Sequence, residues 1–313
     1  SNIDYLNTNI VNIKKIMWEI KRIKIYTENF KKNEILNFSN LNKPIFSIVK
    51  NKDLYNSLKK NLSNNRYIKF IKNKDSNKII KKNYNLIINC DLKNQITKKF
   101  FSKKIKKNYN SFAYTTILNH KKIIKNDVAS QIFTNKGPIA FLPISNSQTS
   151  IVYSLKTELY NNDNDIKNLI YKFNTKYEIT KIGTISKFGL SSSNLRNYYK
   201  SNILAFGDLL HKVHPLAGQG FNMSLRDIIC FSKLLDKRLD LGLTIDSSVC
   251  YDFEKEIKDK NLIFSTGIDL IYEFFNFESK TKNKLISRSL NILGKNKNIN
   301  SFFKKFADSG LRI

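Results

Sequence analysis

One stretch of the chain joins an apolar strand, a Gly-Asp pair and a glycine-flanked helix start, and it restricts the fold more than any other feature. Residues 203–227 read ILAFGDLLHKVHPLAGQGFNMSLRD, with Gly207-Asp208 ending the strand and Gly218-Gln-Gly220 preceding the helix. A carboxylate at a strand end can accept hydrogen bonds from sugar-like hydroxyls. Glycines at a helix amino terminus let backbone N–H groups approach a flat ring, and the helix dipole stabilises negative charge there. The stretch predicts an α/β protein with a ligand at this junction.

Apolar spacing predicts alternating elements over the rest of the chain. A helix is predicted over residues 10–18, and further helices around residues 53–62, 165–173, from Gly218 onward and over 247–313. Strands are predicted at IKIYT, EILNF, IFSIV, YIKFI, the doubly buried run Leu86–Ile88, SFAYTTIL, ASQIFT, IAFLPI, TSIVYSL, KIGTIS and NILAF. This order indicates an α/β body with a mostly antiparallel sheet inserted.

The high positive charge of the chain is a feature typical of nucleic-acid-binding proteins. The chain carries 55 basic and 25 acidic residues, a net charge of +30. Only seven of the basic residues are Arg, the side chain that reads phosphates and bases with a bidentate fork. Lys and Asn are abundant while Ala, Gly and Pro are scarce, a bias typical of an AT-rich genome. We therefore predict no nucleic-acid partner.

The cysteines and the chain ends bear on the compartment. Cys90, Cys230 and Cys250 are widely spaced and odd in number, which argues against a disulfide framework and predicts a reducing, cytoplasmic setting. No apolar run approaches the roughly 18 residues of a membrane span, and the first residues do not resemble a signal peptide. Because the chain begins with Ser1 and its first Met is Met17, we interpret the amino end as cut, processed or incomplete, with a short artificial addition at Ser1-Asn2 as the alternative.

Several motifs together resemble the aromatic-ring flavoprotein monooxygenases of the p-hydroxybenzoate-hydroxylase type. Residues 203–227 are similar to the pattern G-D-A-A-H-x-x-x-P-x-x-G-Q-G-x-N, in the form found in the ubiquinone-biosynthesis hydroxylases of 2-polyprenylphenol and 6-methoxyphenol. GPIAFLPIS at 137–145 resembles the family's G-P-x-A-x-L-P segment on the substrate-facing sheet. LIINCDLKNQ at 86–95 and IVKNKDLYNSL at 48–58 match more weakly. The resemblance spans essentially the whole chain.

The resemblance implies a fold and a division into domains. The fold is an FAD/NAD(P)-binding Rossmann-like domain, whose first βαβ unit is absent here, with an inserted antiparallel substrate-binding sheet and a helical carboxyl-terminal region. We expect the FAD-binding domain to consist of residues 1–20, 43–104 and 199–245. The substrate-binding sheet would then consist of residues 21–42 and 105–198, and residues 246–313 would form the carboxyl-terminal helices.

The resemblance also assigns roles to site residues. Asp208, after Gly207, would hold the ribityl chain of FAD, Pro215 would face the ring, and the backbone of Gly218, Gln219, Gly220 and Asn222 would contact the pyrimidine edge. His214 and Pro143 would line the substrate pocket. Asp91 is either a residual FAD contact or a turn residue. No side chain is predicted to act as a nucleophile or an acid–base catalyst. No metal is predicted, because His211 and His214 lack a second pair of ligands.

The implied activity is NAD(P)H- and O₂-dependent hydroxylation of a polyprenylated phenol in ubiquinone biosynthesis. A second hypothesis is a truncated or degenerate paralogue that acts as a scaffold in a ubiquinone-synthesis complex. The carboxyl-terminal segment 268–277, IDLIYEFFNF, and the lysines after it suit either peripheral contact with the inner membrane face or an ordinary core helix.

The chain departs from the family at the phosphate-binding glycines, and we hypothesise that the chain as given cannot hold the ADP half of FAD. The family begins with G-x-G-x-x-G on a βαβ unit, whereas the first glycine here is Gly137, and Leu92 replaces the glycine after Asp91. We expect the purified chain to lack stoichiometric FAD. The visible absorption spectrum, with released flavin quantified, measures this. One bound FAD per chain would contradict the expectation.

Overall fold

A computed structural model of the chain describes residues 2–28, 34–39, 44–71, 80, 82–156, 162–215 and 218–281, without the side chains of residues 35, 36, 271 and 274–281. Its strands are β1 Met17–Ile20, β2 Arg22–Thr27, β3 Glu34–Ser39, β4 Phe46–Val49, β5 Ile87–Asn89, β6 Lys104–His120, β7 Val128–Thr134, β8 Gly137–Pro143, β9 Gln148–Lys156, β10 Ile179–Ile182, β11 Ser186–Leu195, β12 Tyr199–Lys200, β13 Ile203–Ala205 and β14 His211–Lys212. Its helices are α1 Asn2–Tyr5, α2 Asn51–Ser63, α3 Gln95–Phe100, α4 Asp163–Phe173, α5 Gln219–Asp240 and α6 Ser247–Thr281.

A nine-stranded sheet forms the larger body of the molecule. Its strands follow the order β14-β11-β6-β9-β8-β7-β2-β3, and β10 pairs with β6 outside that path. All pairings are antiparallel except that of β2 with β7. The predicted inserted sheet that is mostly antiparallel is therefore present.

Helix α4 packs on this sheet through an apolar stripe at helical spacing. Ile166, Leu169, Ile170 and Phe173 are buried together with sheet residues that include Ile139. The side chain of Asn162 accepts a hydrogen bond from the Asn164 N–H at the start of the helix. Burying each of the large apolar side chains contributes about 1.5–3 kcal/mol. Helix α4 therefore covers one face of the sheet, and the candidate site is on the other face.

A three-stranded sheet in the order β12-β13-β5 forms the second body. Strands β13 and β5 run parallel, with Ile203 opposite Ile87 and Ala205 opposite Asn89. Helices α5 and α6 cover this sheet through Phe231 and Phe253, which belong to the same buried cluster as the strand residues. Because the two strands are parallel, their carboxyl ends meet at one edge of the sheet.

The long helix α6 confirms the predicted helical spacing of residues 249, 253 and 257, since Val249, Phe253 and Ile257 are all buried. Farther along, Phe264 and Ile268 are buried too. The rest of the predicted carboxyl-terminal helix, residues 282–313, lies outside the described residues. Among the residues described, no helix is long and apolar enough to cross a membrane.

Several predicted elements were wrong. Residues 10–18 do not form the predicted helix: a short π-helical turn, Leu6–Ile10, ends where it should begin, and Met17–Ile20 pairs with β4 as a strand. The spacing was misleading because Ile13 is buried at a turn rather than on a helical face.

Three strand predictions also failed in whole or in part. The YIKFI segment, residues 67–71, forms no strand, and its Tyr67 side chain is 81% exposed. Strand β5 forms as predicted, but Ile88 is 47% exposed rather than buried on both faces. Predicted KIGTIS divides between β10 and β11. An apolar run alone does not reveal whether a neighbouring element covers it.

Gly137, between β7 and β8, occupies a position that only glycine fits. Its φ is +135°, and a Cβ there would lie 1.9 Å from the Ser154 carbonyl oxygen. We expect Gly137→Ala to lower the free energy of unfolding by about 2–3 kcal/mol, since the strained backbone and the overlap both destabilise the folded state. Urea unfolding measures the change. Gly189→Ala is the control, because its Cβ would make only an ordinary 3.7 Å contact with Phe112. An equal loss in both variants would refute the assignment.

Candidate functional site

The carboxyl ends of β5 and β13 bring two of the predicted site residues to one edge. The Phe206 N–H donates to the Asn89 carbonyl at 2.9 Å, which ties the strand ends together. Beyond them, Asp208 lies exposed in a single 3₁₀ turn that begins at Gly207. Asp91 follows β5 on the same edge, and its carboxylate accepts the Lys93 N–H at 2.7 Å. The Asp91 carboxylate thus makes a hydrogen bond within its own turn, which was one of the two roles considered for it from the sequence.

The start of α5 leaves room for a ligand against its backbone. Gly207 and Gly218 both have positive φ, 64° and 65°, and no atom lies within 4 Å of the position where a Cβ would stand. Gly218 caps the helix in the left-handed region, without a side-chain hydrogen bond to the first turn. The Gln219 Oε1 atom is buried and has no hydrogen-bond partner among the described residues. Open space, free helix N–H groups and an unpartnered amide oxygen fit the hydrogen-bonding edge of a flavin.

The remaining predicted residues of this loop sit on either side of that opening. Pro215 is exposed, and its carbonyl accepts the Gly218 N–H at 3.4 Å. Gly220 faces Val213, whose Cγ2 would lie 3.7 Å from an added Cβ. The Asn222 side-chain oxygen accepts a hydrogen bond from Asn2 at 3.2 Å. The Asn222 side chain is therefore hydrogen-bonded to α1, and the Asn222 backbone lies in the first turn of α5.

His214 lies in an aromatic enclosure beneath the loop. Its ring stacks on Tyr272 at 4.2 Å between centroids and meets Tyr109 edge-on at 4.9 Å. The side chain is 1% exposed, and neither ring nitrogen has a hydrogen-bond partner among the described residues. Burial lowers the pKa of His214 to about 4 from 6.5, because an imidazolium would lose its hydration there. The imidazole is therefore neutral at physiological pH.

Pro143, the other residue predicted to line the substrate pocket, lies apart from His214. Tyr272 reaches a narrow crevice beside Gly137, at the first residue of β8. Pro143 is the last residue of that strand, where it pairs with Thr149. Six residues of strand separate the two ends by about 20 Å. The structure therefore separates Pro143 from the enclosure and places Gly137 near it.

Two buried polar groups at the site were missed from the sequence. His211 Nε2 lies 2.5 Å from the carboxylate of Asp227, which also accepts a hydrogen bond from Asn261 at 3.0 Å. In the second group, the Tyr109 hydroxyl donates to the carboxylate of Asp269 on α6. His211 and Asp227 stand within the recognised motif, one before the loop and one on the following helix. An acidic residue on that helix was the available signal for the first group.

Comparison with solved structures defines the class of fold. The p-nitrophenol 4-monooxygenase PnpA of Pseudomonas putida DLL-E4 aligns with a TM-score of 0.75 at 9% identity, over 96% of this chain and 84% of that one. HpxO of Klebsiella pneumoniae, solved with FAD and uric acid, aligns with a TM-score of 0.69 at 8% identity, over 98% and 84% of the two chains. The chain thus has the mixed α/β fold of the FAD-dependent monooxygenases, as the sequence predicted.

Sequence comparison then narrows the relationship. Residues 98–240 match the family model described as FAD binding domain. The ubiquinone biosynthesis monooxygenase COQ6 of Xenopus tropicalis is 27% identical over 210 residues, 54% of this chain and 45% of that protein. The 3-demethoxyubiquinol 3-hydroxylase of Escherichia coli is 27% identical over 157 residues, 48% of this chain and 40% of that protein. These matches confirm the predicted resemblance, and the chain spans less than half the length of these two relatives.

The neutral, buried His214 predicts a pH dependence of stability. Its pKa is lowered in the folded state, so the unfolded state binds the extra proton and stability falls as pH drops from about 6.5 toward 4. We expect wild type to lose roughly 2–3 kcal/mol more unfolding free energy between pH 7 and pH 4.5 than His214→Phe, which keeps the aromatic contacts. Urea unfolding at both pH values measures the difference. Equal losses would show that His214 is not buried neutral.

Proposed function

We propose that this chain is part of an FAD-dependent monooxygenase that hydroxylates the aromatic ring of a polyprenylated phenol in ubiquinone biosynthesis. The observation that carries the proposal is the opening at Gly207 and Gly218, where two left-handed glycines and an unpartnered Gln219 oxygen surround a helix start. The named activities of the similar proteins support the substrate class.

The residues at this opening would hold the cofactor in three ways. The Asp208 carboxylate is exposed at the strand edge and would accept hydrogen bonds from ribityl hydroxyls. Backbone N–H groups at the start of α5, from Gln219 onward, would donate to the pyrimidine edge of the flavin, where the helix dipole favours negative charge. Pro215 would lie against the ring face. When bound and reduced by NAD(P)H, FAD supplies the transfer of one oxygen atom from O₂ to the substrate ring.

The protein's own part in the reaction is to position the substrate and exclude water. Tyr109, His214 and Tyr272 form a buried aromatic group beside the loop, and a phenolic ring would extend that packing. We propose His214 as a pocket residue because its unpartnered nitrogens offer one donor and one acceptor to a ring hydroxyl. Pro143 is retained as a proposed substrate contact on the distant end of β8, where the prenyl tail of a long substrate would reach.

A scaffold in a ubiquinone-synthesis complex is the second candidate, and specific residues favour it. In the segment that resembles the family's second flavin-and-nucleotide motif, Leu92 stands after Asp91, where the family has a glycine. The Asp91 carboxylate accepts the Lys93 N–H of its own turn. This departure at a predicted cofactor contact favours the scaffold.

Peripheral contact with a membrane is a further part of the proposal. Leu262, Ile263 and Leu270 are 40%, 46% and 65% exposed on α6. In the sequence, Lys258 and Lys260 precede these apolar residues and lysines follow from Lys280 onward, a combination that suits an anionic lipid surface. Flotation with vesicles containing anionic lipid should carry the protein upward, and Leu262→Ser with Leu270→Ser should reduce that fraction severalfold. Wild type that never floats would remove the membrane contact.

Flavin titration separates the two ends of the cofactor. We expect FAD and riboflavin to bind with dissociation constants within about threefold of each other, because the described site fits only their shared part. Asp208→Ala should weaken both about tenfold, the loss of about one charge-assisted hydrogen bond. Asp240→Ala, at the far end of α5, is the matched control and should change neither. Quenching of flavin fluorescence measures the affinities.

Activity then distinguishes the enzyme from the scaffold. The chain is reconstituted with FAD, and NADH and NADPH oxidation is followed with and without a short-chain polyprenylphenol. Substrate-stimulated oxidation with formation of a hydroxylated product supports the enzyme. Flavin binding without any stimulated oxidation favours the scaffold.

A further inference from the structure

The buried carboxylate of Asp227 joins three elements around the loop that follows β14. Its two oxygens are divided between partners: Oδ2 meets His211 Nε2 at 2.5 Å, and Oδ1 accepts the Asn261 amide at 3.0 Å. The three side chains come from β14, α5 and α6, and all are less than 9% exposed. A carboxylate is buried at low cost only when its oxygens are hydrogen-bonded, and both of these are.

The loop that follows His211 has few other attachments to the sheet. Strand β14 is two residues long, and it pairs with β11 only through His211 and Lys212. One more backbone bond, from the Leu195 N–H to the Leu210 carbonyl at 2.8 Å, precedes it. From there the chain runs through His214 to Gly218, where the proposed flavin contacts begin. Val213 packs with Met223, Phe264 and Ile268. His211 and His214 add the polar and aromatic contacts that connect this loop to the helices.

Helix α6 contributes one residue to the surroundings of each of these two histidines. Asn261 bonds the Asp227 carboxylate that holds His211, and Tyr272 stacks on His214, three turns farther along the same helix. Between them, Ser265 accepts a hydrogen bond from Asn194 of β11, and Asp269 accepts one from Ser192 of the same strand at 3.2 Å. One buried face of α6 thus contacts both the loop and the large sheet.

We propose that Asp227 is a positioning residue: through His211 it holds residues 211–215 in the geometry that presents the start of α5 to the flavin. The flavin part of this inference rests on the proposed function. The conformational part does not, because it concerns the loop in the protein without cofactor. Asp227 itself touches neither the opening at Gly218 nor the proposed substrate enclosure in any described contact.

The variant Asp227→Asn tests the inference with the smallest change of shape. The amide has a single acceptor oxygen and no charge, so it cannot accept from both His211 and Asn261, and the contact to His211 loses its charged partner and is weakened. We expect hydrogen exchange of backbone N–H groups in residues 212–214 to quicken at least tenfold in flavin-free protein, while exchange in β6 stays unchanged. Riboflavin affinity should fall about tenfold.

Asp252→Asn is the matched control. Asp252 also pairs with a basic side chain across α5 and α6, Arg238 at 2.7 Å, but away from the loop. This control should leave both loop exchange and riboflavin affinity as in wild type. If Asp227→Asn does not fold, Asn261→Ala replaces it, and about threefold faster loop exchange is expected, since one of the two bonds to Asp227 is lost.

Two results would overturn the inference: unchanged exchange in residues 212–214, or a uniform increase that includes β6, which would show a purely global loss of stability. A wild-type chain that binds no riboflavin would contradict the proposed function instead. In that case the exchange experiment still decides the positioning role, because it is performed without flavin.

Discussion

The parallel pairing of β5 with β13 is the constraint on which the site depends. Three residue pairs hold two segments that are more than one hundred residues apart in sequence. They bring the turn at Asp91 and the turn at Asp208 to one edge, and α5 starts from the loop beyond that edge. An antiparallel pairing would have placed the two turns at opposite ends. The apolar cover of this small sheet, through Phe206, Phe231 and Phe253, keeps the pairing dry and so preserves the edge.

Local parts of the site were predictable from the sequence because they depend on short-range chemistry. Glycine is the residue that adopts positive φ most readily, and both Gly207 and Gly218 have positive φ. The strand end and the start of α5 could therefore be predicted from the positions of these glycines. The inserted sheet was predictable in outline from alternating apolar residues. The predictions for residues 10–18 and 67–71 were wrong. The first segment contains a turn and the second is exposed, and the spacing of apolar residues does not show what packs against them.

Contacts between distant segments were not predictable. The stacking of Tyr272 on His214 and the bond from Asn261 to Asp227 require the register of α6 against the loop. Nothing local specifies that register. The separation of Pro143 from His214 is of the same kind, since the sequence placed both on the substrate side without indicating which end of β8 lies near the loop. The carboxyl-terminal segment was left between membrane contact and core helix; Ile268 and Tyr272 are buried, while Leu270 faces outward.

The parallel pairing of β2 with β7 has a consequence for how the chain reaches its fold. Arg22 pairs with Val128, so the two strands are separated by more than one hundred residues. During synthesis, β2 and β3 emerge long before the strand that they must join. The hairpin they form with each other has no sheet to pack on until β6 to β9 have assembled. We therefore expect these early strands to join the large sheet after β6 to β9, because a loop of more than one hundred residues must close before they can pair.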